Sequence, residues 1–250
     1  MILLSWSDAL DDELKRKRSN YLEKQFRSSP FYQDWIRTLT EMGLEEYSNL
    51  SPPFIGGNYR KYRIEIFEVT FRSESHGDDA SSGDTIQTYY DVELENPQNI
   101  MMEIKKRSFF SFGSRSNSIK INTIFDKEFS VKGTDENKIT NILEPSICNK
   151  ILTIRGFNLV IGVDKLHDRS RYRSQTGILY SLPTPSEATI RIGLESRVRK
   201  GLESKYDTHL ARHVDSQPLV EIKRDANRFR AILDTMIDIV EKIKAYNTSI

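Results

Sequence analysis

Apolar and polar residues follow a regular pattern between residues 119 and 152, and this pattern predicts strand, turn, strand and helix in that order. Ile119 and Ile121 alternate with polar neighbours, as in a strand with one buried face. Phe125 and Phe129 are four residues apart, the spacing of one helical turn. We therefore expect a turn between these phenylalanines and a second strand that begins at the latter.

The residues after this second strand predict two short helices. Gly133 ends the strand, and the next three residues supply a helix cap and an acidic first turn, where the helix dipole favours negative charge. Pro145 interrupts the first helix but suits the first turn of another. The side chains expected to face the core are Ile139, Ile142, Leu143, Ile147, Ile151 and Leu152.

Alternating apolar residues predict three strands upstream, over residues 62–71, 86–94 and 102–104. The first of these strands changes phase between Ile66 and Phe67, which predicts a β-bulge or a sharp bend at that point. We expect consecutive strands to pair in antiparallel fashion. The polar residues 73–84 predict a loop.

Three further strands are predicted after the helices, over residues 159–163, 177–182 and 189–194. The polar residues 195–218 predict a helical excursion or a flexible insertion. Apolar residues spaced by three and four then predict a long closing helix over residues 225–246. Its apolar stripe is wider than a coiled-coil seam, which favours packing on the sheet and leaves a helix-mediated homo-oligomer open.

Two helices are also predicted near the N-terminus, one over about residues 7–27 and one from Phe31 to Met42, with Gly43 as its C-cap. They form an arm that packs on the main domain or projects from it. Two prolines and the Gly56-Gly57 pair mark the boundary. The sequence thus predicts an α+β fold. Residues 51–250 form a bent, mainly antiparallel sheet with packed helices, and residues 1–50 form an N-terminal helical arm.

Part of this pattern resembles a module in a prokaryotic family of unknown function. That family carries an F-D-x-x-F-x-V segment before a helix, similar to FDKEFSV from Phe125, and an upstream G-x-Y-x-x-Y-R-type strand, similar to GGNYRKYRIEIF from Gly56. The resemblance covers residues 40–165 and the closing helix. It implies an α+β fold without assigned catalytic residues. Members of the family often lie beside membrane segments.

Composition limits the classes of function. The chain has 250 residues, of which 37% are hydrophobic and 29% charged, enough for one large or two small domains. A dedicated nucleic-acid binder would carry more positive charge than the +1 found here. The single Cys148 excludes an intrachain disulfide and is expected to be a buried core residue. We find no membrane-spanning run, signal peptide or cofactor motif, and we expect a cytoplasmic protein.

Two basic clusters are candidate contact surfaces. The first is either a solvated helix face or an electrostatic contact to a protein, a nucleic acid or an anionic membrane. The second combines basic and aromatic residues, and it either stacks nucleic-acid bases or folds its rings onto the core. The first cluster is Lys15, Arg16, Lys17 and Arg18, and the second is Lys105, Lys106, Arg107, Phe109, Phe110 and Phe112.

Two further constellations could hold a metal ion. His209 and His213 would share one face of a helix, although no third ligand is specified. Asp91, with Glu103 and Lys105 on the strand expected beside it, matches an arrangement that some magnesium-dependent nucleases use. There the carboxylates hold the metal and the lysine stabilises charge near the attacking water. A chance pair of histidines and an exposed strand face with alternating charges give the same patterns.

These observations favour a non-catalytic cytoplasmic binding or scaffold protein that acts through protein–protein contacts. The sequence lacks a phosphate-binding glycine loop, a nucleophile elbow and a zinc-protease motif. One alternative is a metal-dependent nuclease that uses Asp91, Glu103 and Lys105. The other is a binder of anionic membrane or nucleic acid that uses the basic clusters.

Overall fold

The computed structural model describes residues 21–47, 54–71, 85–95, 100–107, 118–154, 156–161 and 210–248. These residues form an α+β fold, as the sequence predicts. The polar loop at 73–84, the strands predicted at 177–182 and 189–194, and most of the first helix lie outside the described residues.

One antiparallel sheet organises the described chain. Eight strands lie in the order β1-β2-β3-β4-β8-β7-β5-β6, and every neighbouring pair is antiparallel. The order does not close, since β1 and β6 lie at opposite ends. The strands are β1 (Leu44–Tyr47), β2 (Phe54–Tyr59), β3 (Tyr62–Phe71), β4 (Thr85–Glu93), β5 (Met102–Lys106), β6 (Phe129–Gly133), β7 (Leu159–Ile161) and β8 (Leu210–Asp215).

Seven helices accompany the sheet in the described part of the chain. Residues 21–27 are helical and are called α1. The others are α2 (Pro30–Glu41), α3 (Phe125–Glu128), α4 (Glu136–Ile142), α5 (Pro145–Thr153), α6 (Leu219–Ile222) and α7 (Ala226–Thr248).

The closing helix α7 packs on the sheet, as its wide apolar stripe predicts. The Phe229 ring lies 5.9 Å from the Tyr90 ring of β4 and 4.8 Å from the Trp35 ring of α2. A self-association through this helix stays a prediction, and its core-facing side chains are already covered by the chain itself. The fully buried apolar side chains of α7 are Phe229, Ile232, Leu233, Met236, Ile237, Ile239, Val240 and Ile243.

The turn, strand and helices predicted over residues 125–152 are confirmed. Phe125 and Phe129 stack with ring centroids 5.0 Å apart, because the single turn of α3 brings both rings to the core. Asp135 caps α4, where its side chain accepts a hydrogen bond of 3.1 Å from the backbone N–H of Lys138. Cys148 is buried in α5, and burial raises the pKa of its thiol to about 11, so it is the inert core residue that was expected.

The expected pairing of consecutive strands is wrong at β4 and β5. These strands are separated by β8 and β7, which insert between them. Residues 210–215 therefore form a strand and not part of a helical excursion. The alternation of apolar residues fixes which face of a strand is buried but not which strand lies beside it, and that is why the sequence misplaced β5.

The expected bulge between Ile66 and Phe67 is also wrong. The register of β3 runs without interruption against both β2 and β4. The phase change arises because both faces of the sheet are covered at this point. Ile66 is buried on the helix side, and Phe67 is buried on the opposite side against Tyr89.

Gly56 and Gly57 do not mark a domain boundary, because both lie inside strand β2. A Cβ atom on Gly57 would lie 2.3 Å from the carbonyl oxygen of Gly43, so glycine allows a close backbone approach here. The predicted boundary near residue 50 falls outside the described residues and stays a prediction. On its N-terminal side, strand β1 belongs to the same sheet as the main domain.

Candidate functional site

Polar side chains concentrate where β4 and β8 pair at the centre of the sheet. Tyr90 lies opposite His213, and Thr88 lies opposite Asp215. These four residues are buried on the face that α7 covers. Arg228, from the first turns of α7, places its Nη2 atom 2.6 Å from Asp215 Oδ2. We call Tyr90, His213, Asp215 and Arg228 the central polar cluster.

His213 is held in place by the backbone of Asn158 and by two aromatic rings. Its Nδ1 atom accepts a hydrogen bond of 3.2 Å from the backbone N–H of Asn158. Phe157 stacks on the imidazole at 4.9 Å, and Tyr90 meets it edge to face at 5.2 Å. Burial lowers the pKa of His213 below its ordinary value, and the nearby carboxylate of Asp215 opposes this shift only in part. The imidazole is therefore neutral near pH 7.

Asp215 is the charged member of the pair with Arg228. Its burial acts to raise the pKa of the carboxyl group, but His213, Arg228 and the backbone N–H of Gln217 outweigh this effect and lower it. Gln217 donates its N–H to Asp215 Oδ1 at 3.0 Å. The same residue accepts from the Thr88 hydroxyl at 2.8 Å through its carbonyl oxygen. The turn after β8 is thus tied to both β4 and α7.

A second charged arrangement lies on the opposite face of the same two strands. Arg212 donates two hydrogen bonds of 2.7 Å to the two carboxylate oxygens of Asp91. The guanidinium carbon lies 5.4 Å from the centre of the Tyr89 ring and 6.0 Å from that of Phe67. The two rings stack on each other at 5.5 Å. A bidentate ion pair with a stacked guanidinium holds Asp91 in a fixed position.

The structure does not bring the three predicted nuclease residues together. Asp91 and Glu103 lie in one row across the sheet, but Arg212 and Val160 stand between them. Three strand spacings, about 14 Å in all, separate the backbones of these two residues. Lys105 Nζ lies 2.5 Å from Glu103 Oε1. Within the described residues, no group of three or more His, Cys, Asp and Glu side chains could hold a metal ion.

The predicted histidine pair does not form a helical face. His213 is buried in strand β8, and His209 lies outside the described residues. In the second basic cluster, Lys105 and Lys106 are exposed, while Arg107 donates to the carbonyl oxygen of Phe129 at 2.9 Å. The residues of that cluster outside the described part of the chain are Phe109, Phe110 and Phe112. The whole first cluster, Lys15, Arg16, Lys17 and Arg18, is outside it too.

The N-terminal arm is joined to the C-terminal part of the chain by a buried ammonium group. Lys223 follows α6 and is 2% exposed. Its Nζ atom lies 2.5 Å from Glu46 Oε1 in β1 and 3.2 Å from Glu23 Oε2 in α1. The Trp35 indole N–H donates to the other Glu46 oxygen at 2.9 Å. We call Lys223, Glu23, Glu46 and Trp35 the arm clamp. Of the two arrangements left open for the arm, the described part therefore shows packing.

Sequence reasoning missed Arg212, Arg228 and Lys223. Arg212 and Lys223 have partners more than a hundred residues away in the sequence, and Arg228 of α7 pairs with Asp215 of strand β8. Residue spacing therefore gave no indication of these pairs. The alternation of Ala211, His213 and Asp215 on one phase was present in the sequence. This alternation predicts a strand with one buried face only if His213 and Asp215 are counted among the buried residues.

The described helices and strands define an α+β protein with an open antiparallel sheet. Comparisons with protein-family models, curated proteins and solved structures find no match to this chain. Among the described helices, none is both long and apolar enough to cross a membrane.

Proposed function

We propose that this chain is a non-catalytic binding or scaffold protein of the prokaryotic cytoplasm, and that it binds a protein partner through its N-terminal arm. The supporting observation is the position of its exposed apolar side chains. Five large apolar residues are exposed in the described chain, and four of them lie between residues 21 and 47. The four are Tyr21, Phe31, Ile36 and Tyr47.

Exposed aromatic and aliphatic side chains that gather on one segment favour a protein–protein contact. Phe31 is 51% exposed and Ile36 is 38% exposed, although Trp35 and Leu39 of the same helix are buried. Trp35 and Leu39 hold the helix on the domain, whereas Phe31 and Ile36 leave apolar surface open to solvent. We take Phe31 and Ile36 of α2 as the proposed contact surface.

The arm clamp supports this proposal because it fixes the arm before any partner binds. A surface held in place loses little conformational entropy on binding. The buried contacts of Lys223 with Glu46 and of Trp35 with Phe229 keep α2 in one orientation. A partner would therefore meet a preformed surface.

The test uses the full chain with a photo-crosslinking amino acid at position 33, an exposed position of α2 between the two residues, mixed with lysate of the native host. We expect one protein to crosslink stoichiometrically and to be lost in a Phe31→Ser/Ile36→Ser double variant. Both substituted residues are exposed, so the double variant should remain folded, which circular dichroism checks.

Ile124→Ser provides the matched control. Ile124 is 68% exposed and lies just before α3, next to β6 at the opposite end of the sheet. The control should keep full capture of the partner. Equal capture by the double variant and the control would refute Phe31 and Ile36 as the contact surface.

The first basic cluster, at Lys15 to Arg18, and the aromatic segment at Phe109, Phe110 and Phe112 belong to the same proposal as additional contacts. Charge reversal at the basic cluster should weaken capture of the partner. If the captured molecule were nucleic acid or anionic lipid, binding would instead fall steeply with salt concentration. A partner whose capture falls only modestly with salt and depends on Phe31 and Ile36 supports the protein contact.

A further inference from the structure

The central polar cluster contains three buried polar atoms that no protein hydrogen bond satisfies. Tyr90 Oη, His213 Nε2 and Asp215 Oδ2 are shielded from solvent, and none of them has a hydrogen-bond partner among the described residues. A buried polar group without a partner destabilises the fold. Three such groups in one cluster at the centre of a sheet indicate that a ligand with hydrogen-bonding capacity completes the site.

The backbone of Asn158 determines which nitrogen of His213 carries the proton. Its N–H donates to Nδ1 at 3.2 Å, so Nδ1 must present a lone pair. In a neutral imidazole the proton then lies on Nε2. His213 Nε2 is therefore a buried hydrogen-bond donor without an acceptor among the described residues.

Asp215 cannot accept this proton directly. Its Oδ2 atom lies 3.8 Å from His213 Nε2, beyond the hydrogen-bond range of about 2.7–3.2 Å. The Arg228 Nη2 atom lies 2.6 Å from the same oxygen as an ion-pair partner, but Oδ2 has no hydrogen-bond partner among the described residues. Asp215 Oδ2 can therefore accept a hydrogen bond from a bound molecule.

We infer that the central polar cluster is a binding site for one buried water molecule, which accepts from His213 Nε2–H, donates to Asp215 Oδ2 and has the Tyr90 hydroxyl as its third partner. An oxygen placed about 2.8 Å from each of two atoms 3.8 Å apart lies within hydrogen-bond distance of both. Three partners are the usual number for an internal water molecule. The water joins β4, β8 and the Asp215–Arg228 pair of α7 into one network.

The surroundings select water over a larger ligand. Phe157 stacks on one side of the imidazole, and Phe229 closes the cluster over the Tyr90 ring at 5.9 Å. Within the cluster, Tyr90 and His213 are neutral, and the charges of Asp215 and Arg228 offset each other. An ion would leave an unbalanced charge in this buried site, whereas a neutral molecule with both donors and acceptors satisfies every group.

Nuclear magnetic resonance on the full chain with ¹⁵N-labelled histidine tests the site. We expect the Nε2-protonated tautomer for His213 and a rotating-frame cross-peak from its Nε2–H to the water resonance, with the sign of a dipolar contact. An Nδ1-protonated ring, or an Nε2–H without this cross-peak, would overturn the inference. Neither measurement depends on a variant that folds.

A Tyr90→Phe variant tests whether the cross-peak comes from a bound water molecule or from the tyrosine hydroxyl. Two partners, His213 and Asp215, still hold the water in this variant, so the cross-peak should persist, with faster exchange of the bound molecule. Loss of the cross-peak would mean that the hydroxyl proton had relayed it, and the inference would be refuted. Tyr59→Phe is the matched control, because the Tyr59 hydroxyl donates directly to Asp234 Oδ1 at 2.7 Å and leaves the cluster untouched.

Discussion

Lys223 and Glu46 form a largely buried ion pair that joins the N-terminal arm to the segment between α6 and α7. Lys223 Nζ lies 2.5 Å from Glu46 Oε1, and the two residues are 177 positions apart. Removal of one partner from a buried pair leaves the other charge desolvated without compensation. The arm therefore stays in place through this contact as well as through apolar packing.

A Lys223→Met variant should lose about 3 kcal/mol in the free energy of unfolding, because Glu46 would remain buried with only the Trp35 indole N–H as a neutral donor. Urea denaturation measures the loss. Lys242→Met is the matched control, since Lys242 pairs with the exposed Glu144 at 2.7 Å. An equal effect of the two substitutions would contradict the arm clamp.

The free energy of unfolding should fall as the pH is lowered from 8 to 5, because the unfolded chain binds one more proton at His213 than the folded chain does. The folded-state pKa of His213 is lowered from the ordinary value of 6.5, so below that pH the unfolded chain binds a proton that the folded chain does not. Between the two pKa values, one proton corresponds to about 1.4 kcal/mol per pH unit. Asp215, whose pKa is also lowered, acts in a separate window below its ordinary value of 3.8.

His213→Gln isolates this contribution. The amide oxygen of glutamine can accept from Asn158 N–H, and its amide group can donate toward Asp215, but it does not titrate. The groups that face the substituted position, namely Tyr90, Asp215 and Arg228, remain unchanged. Urea midpoints measured from pH 8 to pH 5 should show a flatter slope for the variant. Parallel slopes would contradict the buried neutral imidazole.

Gly57→Ala should destabilise the protein strongly. The new Cβ would lie 2.3 Å from the Gly43 carbonyl oxygen and 3.1 Å from the Leu44 Cα atom, and both are backbone atoms that cannot move aside. We expect a loss of about 3 kcal/mol, the upper end of the usual range for overpacked positions, because the clash is with backbone atoms.

Gly156→Ala is the matched control for this clash. Gly156 has φ of +78°, but no atom lies within 4 Å of the position a Cβ would take. Only the left-handed backbone then penalises alanine, by about 1–2 kcal/mol. Thermal unfolding of the two variants should separate the clash from the backbone effect, and the hypothesis fails if Gly57→Ala is the milder change.

Lys61→Gly should stabilise the protein slightly. Arg60 and Lys61 connect β2 to β3 and have φ of +49° and +74°, as in the two-residue turns that favour Asn-Gly. Glycine relieves the left-handed strain at an exposed position, although it adds entropy to the unfolded chain. We expect a net gain of up to about 1 kcal/mol.

The corresponding control is Lys127→Gly, which replaces an exposed lysine inside the single turn of α3. There the backbone is helical, so glycine should lower stability by about 0.5–1 kcal/mol. Denaturation midpoints that move in the same direction for both variants would contradict the strained turn.

The elements that the sequence predicted well are those held by local interactions. The cap at Asp135, the turn between Phe125 and Phe129 and the buried stripe of α7 depend on residues within one or two helical turns of each other. Their spacing is therefore visible in the sequence. The α+β class followed from these elements together with the alternation in β3 and β4.

The features that the sequence did not predict depend on distant pairing. Strand β8 carries His213 and Asp215 at buried positions, which are filled by polar groups only because Asn158 and Arg228 provide partners. Phe67 gave the appearance of a bulge because its partners, Tyr89 and Arg212, lie on other strands. No local pattern encodes such partners. The candidate contact surface of α2 was likewise not separable by sequence from an ordinary amphipathic helix.

The position of β8 between β4 and β7 has a consequence for the order in which the protein is assembled during synthesis. Arg212 reaches Asp91 across 121 residues, so the ribosome releases β1 to β7 before the central strand is available. Until then the edge of β4 is unpaired and can join another chain. We expect chaperone binding to nascent chains to last until residues 210–215 have left the exit tunnel.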